Sequence, residues 1–115
     1  MPRDFKLYLD DIVGSIDRVF LYVAGMEFEG FSADQRTVDA VVRNLEIIGE
    51  AARSLPDEVK EACPEIEWRK IIGLRNILTH EYFGINQTMV WDIVQSKLRP
   101  LRMVCNRLLE SPEST

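Results

Sequence analysis

Histidine occurs once in this chain, at position 80, and that scarcity narrows the chemistry available to it. Cysteine occurs twice, and Cys63 and Cys105 form no Cys-x-x-Cys or Cys/His arrangement. The usual patterns of zinc sites and redox pairs are therefore missing, and two reduced thiols in or beside the core are expected. Neither a metal nor another cofactor is implied. No apolar run approaches the roughly 20 residues of a membrane span, and the start, Met1-Pro-Arg-Asp-Phe-Lys6, lacks the apolar region of a secretory signal, so a cytoplasmic protein with no membrane partner is expected. A net charge of -5 argues against indiscriminate coating of nucleic acid, which depends on Lys and Arg neutralising phosphates, but leaves room for a local basic site.

Strand-like alternation, internal repeats and low-complexity segments are also missing, and helical spacing fills the chain instead. Residues 4 to 28 place Phe5, Leu9, Ile12, Ile16, Val19, Phe20 and Val23 at three- and four-residue steps, which predicts a long first helix. Gly25 and Gly30 bracket a predicted loop. Ser32-Ala-Asp-Gln35 reads as a capping box opening a second helix. Its stripe of Val38, Val41, Val42, Leu45, Ile48 and Ala52 includes Gly49, where a missing side chain lets another helix approach closely.

Pro56 ends that helix, and residues 56 to 63 allow at most two turns before Pro64. From about Glu67 a further helix runs through Trp68, Ile71, Ile72 and Leu78 and ends near Tyr82 to Gly84. Asn86 then caps a last helix that buries Val90, Ile93, Val94, Leu98, Leu101, Val104, Cys105 and Leu108, with a kink expected at Pro100. The expectation is one all-α domain over residues 1–110, an up-and-down bundle of four principal helices and a short one, with a frayed tail at 111–115.

The chemistry concentrates in Arg75-Asn-Ile-Leu-Thr-His80-Glu-Tyr82-Phe-Gly84. At about 100° per residue, Arg69, Gly73, Asn76 and His80 share one sector of their helix, a polar face with a gap at Gly73. Arg75 points elsewhere, towards the sector of Trp68, Ile71, Ile72 and Tyr82. A guanidinium in that position needs a carboxylate or a cleft, and Glu46 and Glu50 on the second long helix are candidate ion-pair partners. A plain structural reading stays open, in which Arg75 is an internal ion pair and His80 a satisfied histidine near a helix end.

Two stretches resemble the HepT family of the HEPN superfamily: Asn44-Leu-Glu-Ile-Ile-Gly-Glu-Ala51, and Trp68 through Asn86 with its Arg, four residues, His, any residue, Tyr signature. The resemblance covers most of the chain. It implies a HEPN-type helical bundle that dimerises through its motif helices. It further implies the toxin of a type VII-like toxin-antitoxin system, a metal-independent endoribonuclease acting on RNA. The partner it implies is a minimal nucleotidyltransferase antitoxin that transfers AMP to the motif tyrosine, here Tyr82. Arg75, Asn76 and His80 match the catalytic positions, with Asn76 orienting His80 or holding a phosphate oxygen.

Cleavage by the neighbouring 2'-OH needs a base, an acid and a group that stabilises charge on phosphorus. One histidine does not readily serve as both acid and base. A two-fold dimer bringing His80 and Arg75 from both chains into one cleft would supply the set. Lys97, Arg99, Arg102 and Arg107 put positive charge on the last helix, either as a solvated face or as a guide for RNA. The reading of a different class is a non-catalytic helical-bundle partner of the nucleotidyltransferase.

Overall fold

A computed structural model describes residues 4–80 and 86–110, the side chains of 76–80 excepted. Among the described residues there are seven helices and no strand, so the chain is an all-α bundle. The expected tail at 111–115 and the expected helix end at Tyr82 to Gly84 lie outside the described residues.

Helix α1 spans Phe5–Val23, capped by the Asp4 carboxylate, which accepts from the Lys6 N–H at 3.0 Å. Its stripe of Leu9, Ile12, Ile16 and Val19 is fully buried. The helix stops short of residue 28, and Gly25 follows with a φ of 77°, the left-handed turn that glycine enters without steric cost. The expected loop around Gly30 is instead a second helix, α2 (Phe28–Ala33). Phe28 and Phe31, one turn apart, both reach the Trp91 ring, at centroid distances of 6.4 Å and 4.9 Å. These two anchors hold six residues helical that have little helical tendency of their own.

The capping box is displaced as a result. Asp34, not Ser32, is the N-cap of α3 (Gln35–Arg53), accepting from the Thr37 backbone N–H at 3.2 Å and from its hydroxyl at 2.9 Å. Those two donors hold the Asp34 carboxyl below its usual range, the backbone N–H contributing most. Gln35 turns instead to Asp39, and Ser32 donates to the Gln87 side chain at 2.7 Å, fastening α2 to a residue far along the chain.

Helix α3 ends at Arg53, ahead of Pro56, and α4 (Asp57–Glu61) is a single short turn with Asp57 and Glu58 at its positive end. Helix α5 covers Trp68–His80, and the Trp68 indole N–H donates to the Cys63 carbonyl at 3.0 Å, tying its start to the preceding turn. Asn86 caps α6 (Gln87–Ser96) by accepting from the Met89 N–H at 3.0 Å. The expected kink is a full break at Lys97, followed by α7 (Leu98–Glu110). Proline has no N–H to offer the carbonyl four residues earlier, so Pro100 releases Ser96, where α6 ends, and sits in the tolerant first turn of α7.

Helix α3 packs between α1 and α5; α1 also carries α7, α6 lies on α7, and α2 bridges α3 and α6. Helices α1 and α3 run antiparallel: Arg18 lies beside Asn44, while Tyr8 and Asp11 share a cleft with Ala51 and Ser54. Gly49 marks the crossing of α3 and α5. A Cβ there would stand 2.9 Å from the Arg75 nitrogen, 3.1 Å from the Ile71 oxygen and 3.2 Å from the Ile72 oxygen, so the two backbones touch where glycine removes the side chain.

Candidate functional site

The Gly49 crossing sets Arg75 against the edge of α3. Its Nε forms an ion pair with Glu50 Oε1 at 3.0 Å, with both side chains about half exposed, at 40% and 52%. This is a surface ion pair at the mouth of a cleft, not a charge stranded in the core. The other candidate partner, Glu46, is engaged by Arg43 at 3.1 Å one turn away. The cleft, about 360 Å³, lies between α1, α3 and α5, with Arg43, Glu46, Glu50 and Arg75 on its rim and Tyr8 and Asp11 closing the α1 side.

Asn76 and His80 follow on the same continuous helix, His80 five residues beyond Arg75 and one turn beyond Asn76. Their side chains, and all of Tyr82, lie outside the described residues. In register, the five-residue step turns His80 about 140° from Arg75 and advances it about 7.5 Å, whereas Asn76 and His80 share a face. Arg69 and Gly73 occupy that same face; Arg69 is exposed and a Cβ at Gly73 would meet nothing within 4 Å. Gly73 also opens onto a larger groove of about 560 Å³ floored by Ile71, Leu74, Met89 and Ile93.

The basic side chains of Lys97 and of the last helix are occupied locally. Arg102 meets Asp17 at 2.6 Å, Arg107 meets Glu65 at 2.7 Å, and Lys97 meets Glu67 at 3.7 Å. Arg99 lies over the Phe20 ring at 5.2 Å. The Asp17 and Glu65 carboxylates raise the two arginines above their ordinary range. These side chains tie the C-terminal part of the chain to α1 and to the segment before α5, and offer RNA little free positive charge.

Neither cysteine is in a disulfide, both are buried, and burial together with neighbouring Cys63 pushes the Cys105 thiol up to about 12. Among the described residues no group of His, Cys, Asp or Glu is arranged to hold a metal ion, and no helix is long and apolar enough to cross a membrane.

One polar cluster is not anticipated by the motif. Arg18 Nε donates to Asn44 Oδ1 at 3.0 Å and its Nη2 to Ser15 Oγ at 3.0 Å, while Asn44 Nδ2 donates to the Ala40 carbonyl at 2.9 Å. Ser15 and Asn44 are the buried polar side chains of the described core. The sequence signal was an asparagine inside an otherwise apolar stripe, between Val41 and Leu45.

An all-α bundle with an Arg-led polar helix set against a carboxylate-bearing neighbour defines a small helical family, and the comparisons give it a name. The family model described as "HepT-like: Ribonuclease HepT-like" matches residues 12–108. The chain is 38% identical over 102 residues to "Probable ribonuclease HepT" of Thermococcus cleftensis, covering 89% of this chain and 93% of that one. It is 38% identical over 99 residues to "Putative RNase MJ0127" of Methanocaldococcus jannaschii, covering 85% of this chain and 82% of that protein. It is 36% identical over 103 residues to "Putative RNase TTE0752" of Caldanaerobacter subterraneus, covering 90% and 92%. No solved structure matches the chain significantly. The chain belongs to the HepT-like ribonuclease family.

Proposed function

We propose that this chain is a metal-independent endoribonuclease, the toxin of a type VII-like toxin-antitoxin pair, whose active site is completed by a second copy of itself. Membership of the HepT-like family supports the ribonuclease assignment. The observation that carries it is Arg75, held half-exposed at a cleft mouth by Glu50 and the Gly49 crossing, on the helix that also bears the one histidine.

In this reading the 2'-oxygen of a nucleotide attacks the adjacent phosphorus as one His80 takes its proton. The bond from phosphorus to the 5'-oxygen breaks, and the protonated His80 of the other copy supplies a proton to that leaving oxygen. Arg75 binds the phosphate and answers the charge that builds on it, a guanidinium fork being suited to two oxygens at once. Asn76 positions His80 one turn along the same face. A nucleotidyltransferase antitoxin ends the activity by transferring AMP from ATP to the Tyr82 hydroxyl oxygen, which loses its proton as pyrophosphate leaves, and the added bulk and charge repel RNA from the cleft.

The test is cleavage of RNA by the purified chain in the presence of a chelator. The wild type cuts, and His80→Ala and Arg75→Ala each lose at least about 10²-fold. A wild-type chain that cuts no RNA but binds the nucleotidyltransferase would favour the non-catalytic partner instead.

A further inference from the structure

We infer that Arg18 is a second phosphate-binding residue, held in place by buried Asn44 and Ser15, and that the RNA strand runs from Arg75 along the groove between α1 and α3. The inference rests on the ribonuclease reading above and extends it to how the substrate lies.

Arg18 is an exposed residue whose side-chain hydrogen bonds among the described residues, both part-buried, go to two neutral groups, Asn44 Oδ1 and Ser15 Oγ, both at 3.0 Å. Its charge therefore stands uncompensated by those partners, unlike Arg43 and Arg75, which each meet a glutamate. The partners themselves are built into the core, Ser15 being 0% and Asn44 5% exposed. Burying two polar side chains is costly unless they are hydrogen-bonded, and here the bonds converge on one arginine. Such support fixes the fork and reduces the rotamer freedom lost when a phosphate binds.

The helix registers connect this arginine to the cleft. Asp11 and Arg18 are seven residues apart on one face of α1, and Ala51 and Asn44 are seven apart on one face of the antiparallel α3. Asp11 and Ala51 line the Arg75 cleft. Arg18 and Asn44 thus lie two turns further along the same groove, about 10 Å from Asp11 and Ala51, a span of one or two nucleotides of extended strand. Gly14 clears the way between: a Cβ there would meet only Arg18 Nη1, at 3.6 Å, so the guanidinium lies back over Gly14 towards the cleft.

The test measures binding of wild-type protein to a single-stranded RNA bearing 2'-O-methyl groups, which 2'-OH chemistry cannot cut, across a series of salt concentrations. Arg18→Gln is expected to weaken binding about tenfold, as for loss of one charge-assisted contact, and to flatten the slope of log K against log salt by about 0.7. Arg18→Lys restores most of the affinity and the slope. Asn44→Asp keeps a partner for Arg18 but offsets its charge while losing the bond to the Ala40 carbonyl, and is expected to weaken binding similarly, with thermal unfolding run beside it to show that the variant is folded at the assay temperature. Unchanged affinity and slope in Arg18→Gln and Asn44→Asp, with wild type still cutting ordinary RNA, would overturn this inference alone. A wild type that neither binds nor cuts would overturn the ribonuclease reading with it.

Discussion

Gly49 lies under the backbone nitrogen of Arg75, so close that a methyl group at position 49 would stand 2.9 Å from it. The neighbours are backbone atoms of α5, which cannot swing aside as a side-chain tip would. The position of the proposed phosphate-binding arginine is therefore set by an absent side chain on another helix.

Gly49→Ala is expected to push α5 off α3, costing about 1–3 kcal/mol and lowering the melting temperature by roughly 4–8 °C for each of them. RNA cleavage should fall with it, because Arg75 moves. Gly73→Ala is the contrasting case: a Cβ there meets nothing within 4 Å, so removing a mid-helix glycine should raise stability by about 0.5–1 kcal/mol. Thermal unfolding of the two variants compares them, and a loss at Gly73 would reveal a second molecule packed on that face.

Arg75→Ala should separate stability from activity. With both ends of the Arg75–Glu50 pair about half exposed, solvent screening leaves it worth less than about 1 kcal/mol. Cleavage should fall by about 10²–10³-fold, the cost of one charge-stabilising group. A large drop in melting temperature would restore the internal-ion-pair reading.

Cys105 makes stability depend on alkaline pH. Its folded pKa is raised from 9.0 to about 12, so the unfolded chain loses this proton first. The contribution is fully present below pH 9 and is lost as pH rises towards 12. Denaturant titrations across that range should show a steeper fall for the wild type than for Cys105→Val. In the folded protein at neutral pH neither buried thiol should react with a thiol reagent.

Tyr82 is the proposed switch. Co-expression with a nucleotidyltransferase encoded beside it should add AMP to the peptide carrying Tyr82, read by mass spectrometry, and the modified chain should no longer cut RNA. Tyr82→Phe should escape both effects. An unmodified Tyr82 alongside full neutralisation would show that the antitoxin acts by binding alone.

Much of this bundle is legible in the order of residues because its long helices follow apolar spacing. The α3 stripe, the Asn86 cap and the close approach at Gly49 are all local consequences of residue type. What was not legible depends on distant partners. Nothing near Phe28 and Phe31 announces that Trp91 will hold them helical, and once α2 forms, Ser32 is no longer free to cap and Asp34 takes the position. The break at Lys97 follows from the carbonyl that Pro100 leaves unbonded, a cost that falls four residues upstream. Arg75 and His80 stood out by residue type, yet the Arg18, Asn44 and Ser15 cluster did not, because its meaning lies in pairing two helices whose contacting residues are far apart in sequence.

The contact of Phe31 with Trp91 also gives the chain its own optical reporter. The sequence holds two tryptophans, and they occupy different corners: Trp91 against α2, and Trp68 hydrogen-bonded to the turn before α5. Fluorescence from each, isolated by replacing the other with phenylalanine, would report whether the α2 corner and the helix bearing Arg75 melt together. Coincident transitions would make the bundle a single cooperative unit, and an early Trp91 signal would mark α2 as a latch that opens first.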